Sequence, residues 1–230
     1  MKKDLNILLN KKKFIFMLYA VMLIMFFSIS NDININIFEE YLGTNLNSSA
    51  SLLSVVYNIV INFSLIYLGI YLFTYDLKFS KDYLFTRQTK EKWIKNKLFS
   101  IIIVIILFSV IATVLYVALG LMTKIELNIF EILTIMTASI CIRVITQCIV
   151  LVCFCFFKYM YLVIYGLLNF APMFIDIDNI HCLNALYASE YDSMYDISLI
   201  ILVTIFCIML AYVFVKKMFF KLLEKEYNND

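Results

Sequence analysis

Arg143 is the residue whose type and position most need explaining, because it stands mid-way along the apolar run Ile129 to Phe157. A helix rises about 1.5 Å per residue, so its guanidinium would lie roughly 21 Å from either end, too deep for easy snorkelling. Insertion scales charge about 2.5 to 3.5 kcal/mol for Arg at such a depth, which surrounding Leu, Ile, Val and Phe offset at about 0.3 to 0.6 each. Ser139, Thr146 and Gln147 stand at i−4, i+3 and i+4 from it, so the four form one polar stripe on a helix. That stripe should face protein or a water-filled cavity rather than lipid. Two readings fit it: a hydrogen-bond cluster that packs helices together, and a polar path for a substrate.

The other residues capable of chemistry do not assemble into a catalytic set. A phosphate-binding loop needs paired glycines followed by Lys and Ser or Thr, and Gly43, Gly69, Gly120 and Gly166 are far apart. The chain is therefore expected to hydrolyse no ATP by itself and to hold no cofactor. His181 is the only histidine, and Cys182 beside it does not complete a metal site. Glu39 and Glu40 are adjacent but have no basic or histidine partner nearby and read as surface charges. Of the six Cys, all but Cys182 fall inside apolar runs, which favours small apolar packing over a disulfide framework. The sequence points away from an enzyme.

The elements that must position Arg143 follow from composition. The 230 residues are 63% hydrophobic, with a mean hydropathy of +0.91, whereas soluble domains run near 45 to 50% apolar. One Pro and four Gly leave little punctuation for a loop-rich or sheet-rich fold. The apolar runs are long and continuous rather than short and alternating, which excludes a transmembrane barrel. An all-α integral membrane protein remains, because a membrane-spanning backbone must satisfy its own hydrogen bonds. A hydrocarbon core of roughly 30 Å needs about 20 residues per crossing. Six runs answer to that: 14–30, 52–74, 98–122, 129–157, 159–175 and 197–215, in a single transmembrane domain covering 1–230. The fourth is long and the fifth short, with only Lys158 between them, so the fifth either spans or is partly re-entrant.

Charge sorting sets the orientation, since Lys and Arg concentrate on the cytoplasmic side. Lys11, Lys12 and Lys13 precede the first run, seven Lys or Arg from Lys78 to Lys97 separate the second and third, and Lys158 follows the fourth. The tail carries Lys216, Lys217, Lys221 and Lys225. In a six-span arrangement these segments share one face, so both termini should be cytoplasmic in a multi-pass plasma-membrane protein. The opposite loops hold ten carboxylates against Lys124 alone. A net charge of +2 is too small to argue for nucleic acid.

The largest cytoplasmic feature is the segment Tyr75 to Lys97, YDLKFSKDYLFTRQTKEKWIKNK. Attraction to anionic lipid explains its lysines and allows Trp93 as an interface anchor. Tyr83, Leu84 and Phe85 suit a short helix docking into another protein's groove. Packing of Phe85 against the cytoplasmic ends of the chain's own helices is the other reading.

The order of a basic N-terminus, two spans, a stretch such as DYLFTRQTKEKWIKNKL and four further spans resembles the membrane subunit of ABC type-2 exporters, especially small bacterial permeases associated with peptide antibiotics. In that family the loop between the second and third spans carries an acidic residue, an apolar pair, an Arg and then a basic stretch. Asp82, Leu84, Phe85, Arg87, Lys90, Lys92 and Lys97 match that arrangement. The resemblance implies a coupling helix in which Leu84, Phe85 and Arg87 contact a separate ATPase subunit that binds ATP. It also implies a second permease subunit, the same or homologous, around a central path, and short re-entrant helices between the last two spans. The Asp176 to Asp196 loop here is plain and lacks an amphipathic re-entrant pattern. The function expected is export of a peptide or amphipathic compound. The rival is a stand-alone immunity or accessory membrane protein that binds a toxin without transport.

Overall fold

The computed structural model describes residues 65–74, 89–123, 129–156, 163 and 194–219. Among the described residues there are four helices: α1 (Leu65–Thr74), α2 (Lys90–Thr123), α3 (Ile129–Phe156) and α4 (Met194–Phe214), which runs on into a π-helical turn, Val215–Phe219. The last three are long and apolar enough to cross a membrane. The first apolar run, nearly all of the fifth, and Leu84, Phe85 and Arg87 lie outside the described residues.

Helix α2 begins eight residues before the apolar run that announces it. Thr89 is the cause: its carbonyl accepts from the Trp93 amide at 3.0 Å, and its hydroxyl accepts from the Lys92 amide at 3.4 Å, so it caps the first turn. Glu91 sits in that turn, where the helix dipole favours negative charge. The early start turns the end of the basic stretch into helix, and it removes Trp93, Ile94 and Lys97 from any exposed surface. Trp93 and Ile94 are buried, and Trp93 meets Phe73 of α1 edge to face, with ring centroids 5.6 Å apart. Lys97 is also buried, with its ammonium 5.8 Å from the Trp93 ring centre. Trp93 therefore joins two helices of the protein itself rather than anchoring a loop in the lipid interface.

Contacts at this end fix the relative direction of the helices. Phe73 near the end of α1 meets Trp93 at the start of α2. Lys216, just past α4, pairs with Glu91 at the start of α2, and Lys95 lies over the Tyr212 ring. Phe156 ends α3 against Phe214 at the end of α4, 5.9 Å between centroids. So α1, α3 and α4 all finish where α2 starts, and α3 and α4 run parallel. Exposed Lys92, Lys95, Lys216 and Lys217 are gathered at that one end.

Among the described helices α3 touches all the others, and it shows different chemistry on opposite faces. Towards α4 it presents Ala138, Cys141, Ile145, Cys148, Val152 and Cys155, whose alternating spacing of three and four residues makes a seam of mostly small side chains. Ala138, Cys141 and Ile145 pack with Ile200, and Ala211 and Val215 continue the contact. Lipid tails are as apolar as these residues, so close packing of small side chains holds such helices together where the hydrophobic effect cannot. Ser and Thr on the helices return their hydroxyls to carbonyls one turn back, as Ser100 does to Asn96, Thr113 to Ser109 and Thr204 to Ile200. Each hydroxyl is thereby satisfied without water. Only 17% of the α4 span is buried inside the protein, against 56% and 61% for α2 and α3. Leu202, Ile205, Phe206, Met209 and Val213 accordingly form an outward apolar face.

Candidate functional site

The face of α3 opposite the small-residue seam carries the polar stripe. Ser139, Arg143 and Gln147 follow one another at intervals of four, and all three are buried. Arg143 lies fourteen residues from Ile129 and thirteen from Phe156, so it stands at mid-helix. Its Nη1 donates to Ser109 Oγ of α2 at 2.9 Å and to Ser139 Oγ of its own helix at 3.2 Å. Ser139 passes the bond on, donating to the Met136 carbonyl at 3.1 Å. The Arg143 guanidinium carbon also lies 5.3 Å from the centre of the Phe108 ring, within cation–π range.

A cation at this depth is held by hydroxyl dipoles and an aromatic face, which spread its charge over two helices. Hydrogen bonds to a charged group are worth about 1.5 to 3 kcal/mol, and low surrounding dielectric strengthens them. Both bonds leave one nitrogen, Nη1, while the planar guanidinium stays within cation–π range of Phe108, and the shorter side chain of Lys would carry its charge at a different point. Arg143 thus links α2 to α3.

Gln147 lies one turn nearer the charged end and faces α1. Its side chain is 2% exposed, and among the described residues neither its Nε2 nor its Oε1 has a hydrogen-bond partner. An amide buried in that condition costs about 1 to 3 kcal/mol. Gly69 explains how it fits. A Cβ built on Gly69 would fall 2.2 Å from Gln147 Nε2 and 2.8 Å from its Cδ. The missing side chain of Gly69 is the space that the Gln147 amide fills, and α1 can approach α3 this closely only with glycine there.

Thr146, the fourth member of the sequence stripe, sits on its flank. It is part-buried and donates to its own helix at Ile142 O, 2.8 Å away, so it does not enter the Arg143 network. The structure brings in three residues the sequence did not single out, namely Ser109, Phe108 and Gly69. Among the described residues no group of three or more His, Cys, Asp or Glu could hold a metal ion. What the site offers is a fixed cation, two hydroxyls and a primary amide at mid-helix, a set able to bind a polar group.

A scan against protein-family models finds no match, and searches of curated proteins and of solved structures likewise return no similar protein.

Proposed function

We propose that this chain is the permease subunit of an ATP-driven exporter, moving a peptide or amphipathic compound through the plasma membrane together with a separate ATPase subunit and a second permease subunit. The observation that carries the reading is Arg143, a permanent cation kept at mid-helix among hydroxyls and next to an unsatisfied amide. A helix that only needed to pack could use small apolar residues on this face, as α3 does towards α4. An ionisable residue within a membrane span is costly and marks a functional site by default.

The proposal includes six crossings with both termini and 75–97 in the cytoplasm. Its support is the sorting of Lys and Arg in the sequence, and the collection of exposed lysines at one end of the helices is consistent with it. Single-Cys variants in intact cells test the orientation. Position 87 should resist an impermeant thiol reagent until the cells are lysed, and a position between 176 and 196 should label without lysis. Labelling of position 87 in intact cells would overturn it.

Affinity purification from the native host tests the function. A permease subunit should bring down an ATP-binding subunit, whereas a stand-alone immunity protein should purify without one.

A further inference from the structure

Gln147 combines three properties that pull against one another. It is buried, it sits in a region meant for lipid, and it leaves both a donor and an acceptor unused among the described residues. The chain tolerates this at the one place where α1 has no side chain, so the amide is pressed against Gly69 and is closed off from anything else. Buried polar groups in native proteins nearly always find partners, and an exception signals a group kept for a purpose.

The two unused atoms define the partner. Nε2 donates and Oε1 accepts, side by side on a planar group. The complement is an acceptor beside a donor, which an extended peptide presents as the C=O and N–H of one residue pointing the same way, so that residue and the Gln147 amide can close a pair of parallel hydrogen bonds. Arg143, four residues or about 6 Å along the helix, makes the neighbourhood positive. Its fixed charge disfavours a cationic group at this point and admits a neutral or anionic one.

We infer that Gln147 is a recognition point for the backbone N–H and C=O of one residue of the transported compound, with Gly69 occupying the ligand's place in the closed state described here. Binding draws α1 away from α3 along the seam between Gly69 and Gln147 and exchanges the Gly69 contact for two hydrogen bonds. Arg143 stays on Ser109 and Ser139 throughout and selects against positive charge beside the bound amide. This inference rests on the transport reading and names the substrate class, a compound with backbone amides that are accessible within the membrane.

The test uses the full chain in nanodiscs and a tritiated probe, N-acetyl-leucine N-methylamide, with an analogue in which the leucine N–H is replaced by an ester oxygen. The ester keeps the carbonyl and lacks the donor. Wild-type protein should bind the amide about tenfold more tightly than the ester, the effect of one hydrogen bond in a dry site. Gln147→Met, which keeps the unbranched shape and removes both polar atoms, should bind the two probes equally. Its melting temperature should match or exceed that of the wild type, because an unsatisfied amide has been removed. Equal binding of amide and ester by the wild type, or no binding of either, overturns the inference. So does a Gln147→Met protein that keeps the preference, or one that melts several degrees lower, since that outcome makes Gln147 a structural residue. Amide preference in a chain that purifies without an ATPase would keep the site and discard the exporter reading. Recovery of an ATPase without amide preference would discard the site alone.

Discussion

Arg143→Leu should reach the membrane at wild-type abundance and lose transport by roughly 10- to 150-fold, the equivalent of the 1.5 to 3 kcal/mol assigned to hydrogen bonds with a charged group. Insertion should not suffer, because Leu is favoured at helix centre where Arg costs about 2.5 to 3.5 kcal/mol. Nor should packing collapse, since Ser139 already donates to the Met136 carbonyl and Ser109 can turn its hydroxyl to a carbonyl of its own helix, as Ser100, Thr113 and Thr204 do. What disappears is the link from α2 to α3 and the fixed charge beside Gln147. Arg143→Lys should restore only part of the activity, because an ammonium keeps the charge without the planar fork. Quantitative blotting of membrane fractions alongside a transport assay separates the two effects. Full transport by Arg143→Leu at normal abundance would reduce the residue to one that the helix merely tolerates.

The second large effect is expected at the proposed ATPase contact. Phe85→Asp should remove the ATPase from the purified complex, because burying a Phe side chain contributes roughly 1.5 to 3 kcal/mol and a carboxylate in the same groove is repelled. The control needs a basic residue nearby that does no internal work. Lys95 is unsuitable, since it lies over the Tyr212 ring of α4, and Lys97 is buried against Trp93. Lys92 is exposed on the first turn of α2, so Lys92→Asp subtracts lipid attraction of about 1 kcal/mol per lysine and little else. Docking predicts loss of the ATPase for Phe85→Asp and retention for Lys92→Asp. Equal loss in both, or retention in both, counts against this surface. Failure of Phe85→Asp to accumulate would favour internal packing, the role that Trp93 and Ile94 already have.

What the sequence disclosed about the site depends on which costs are visible along one strand of text. Arg143 stood out because a charge in an apolar run is expensive wherever it points, and Ser139 and Gln147 followed from helical spacing on the same helix. Ser109 did not stand out, because it lies 34 residues away on another helix and nothing distinguishes it from Ser100 or Thr113 until α2 and α3 are packed. Gly69 was hidden for a related reason. A glycine in an apolar run has no polar signature, and its value lies in the side chain it lacks opposite Gln147. Thr146 was drawn into the stripe by spacing alone, yet a hydroxyl that can bond its own helix need not join a network.

The limits of the helices show the same contrast. Helices α1 and α3 lie within the second and fourth apolar runs, where hydropathy alone places them. Helix α2 starts earlier, since its beginning is decided by the cap at Thr89 and by Trp93 packing on Phe73 rather than by hydropathy. The long outward face of α4 was legible as apolar, but not as the face least buried by the rest of the protein.

The central claim is that this chain works as a permease driven by a separate ATPase, and the stoichiometry of the complex purified from the native host tests it most directly. Native mass spectrometry of a gently solubilised preparation should show two permease chains, identical or homologous, with two ATP-binding subunits, and the preparation should hydrolyse ATP. A folded chain that appears alone or only with copies of itself, without an ATP-binding subunit and without ATPase activity, would contradict it.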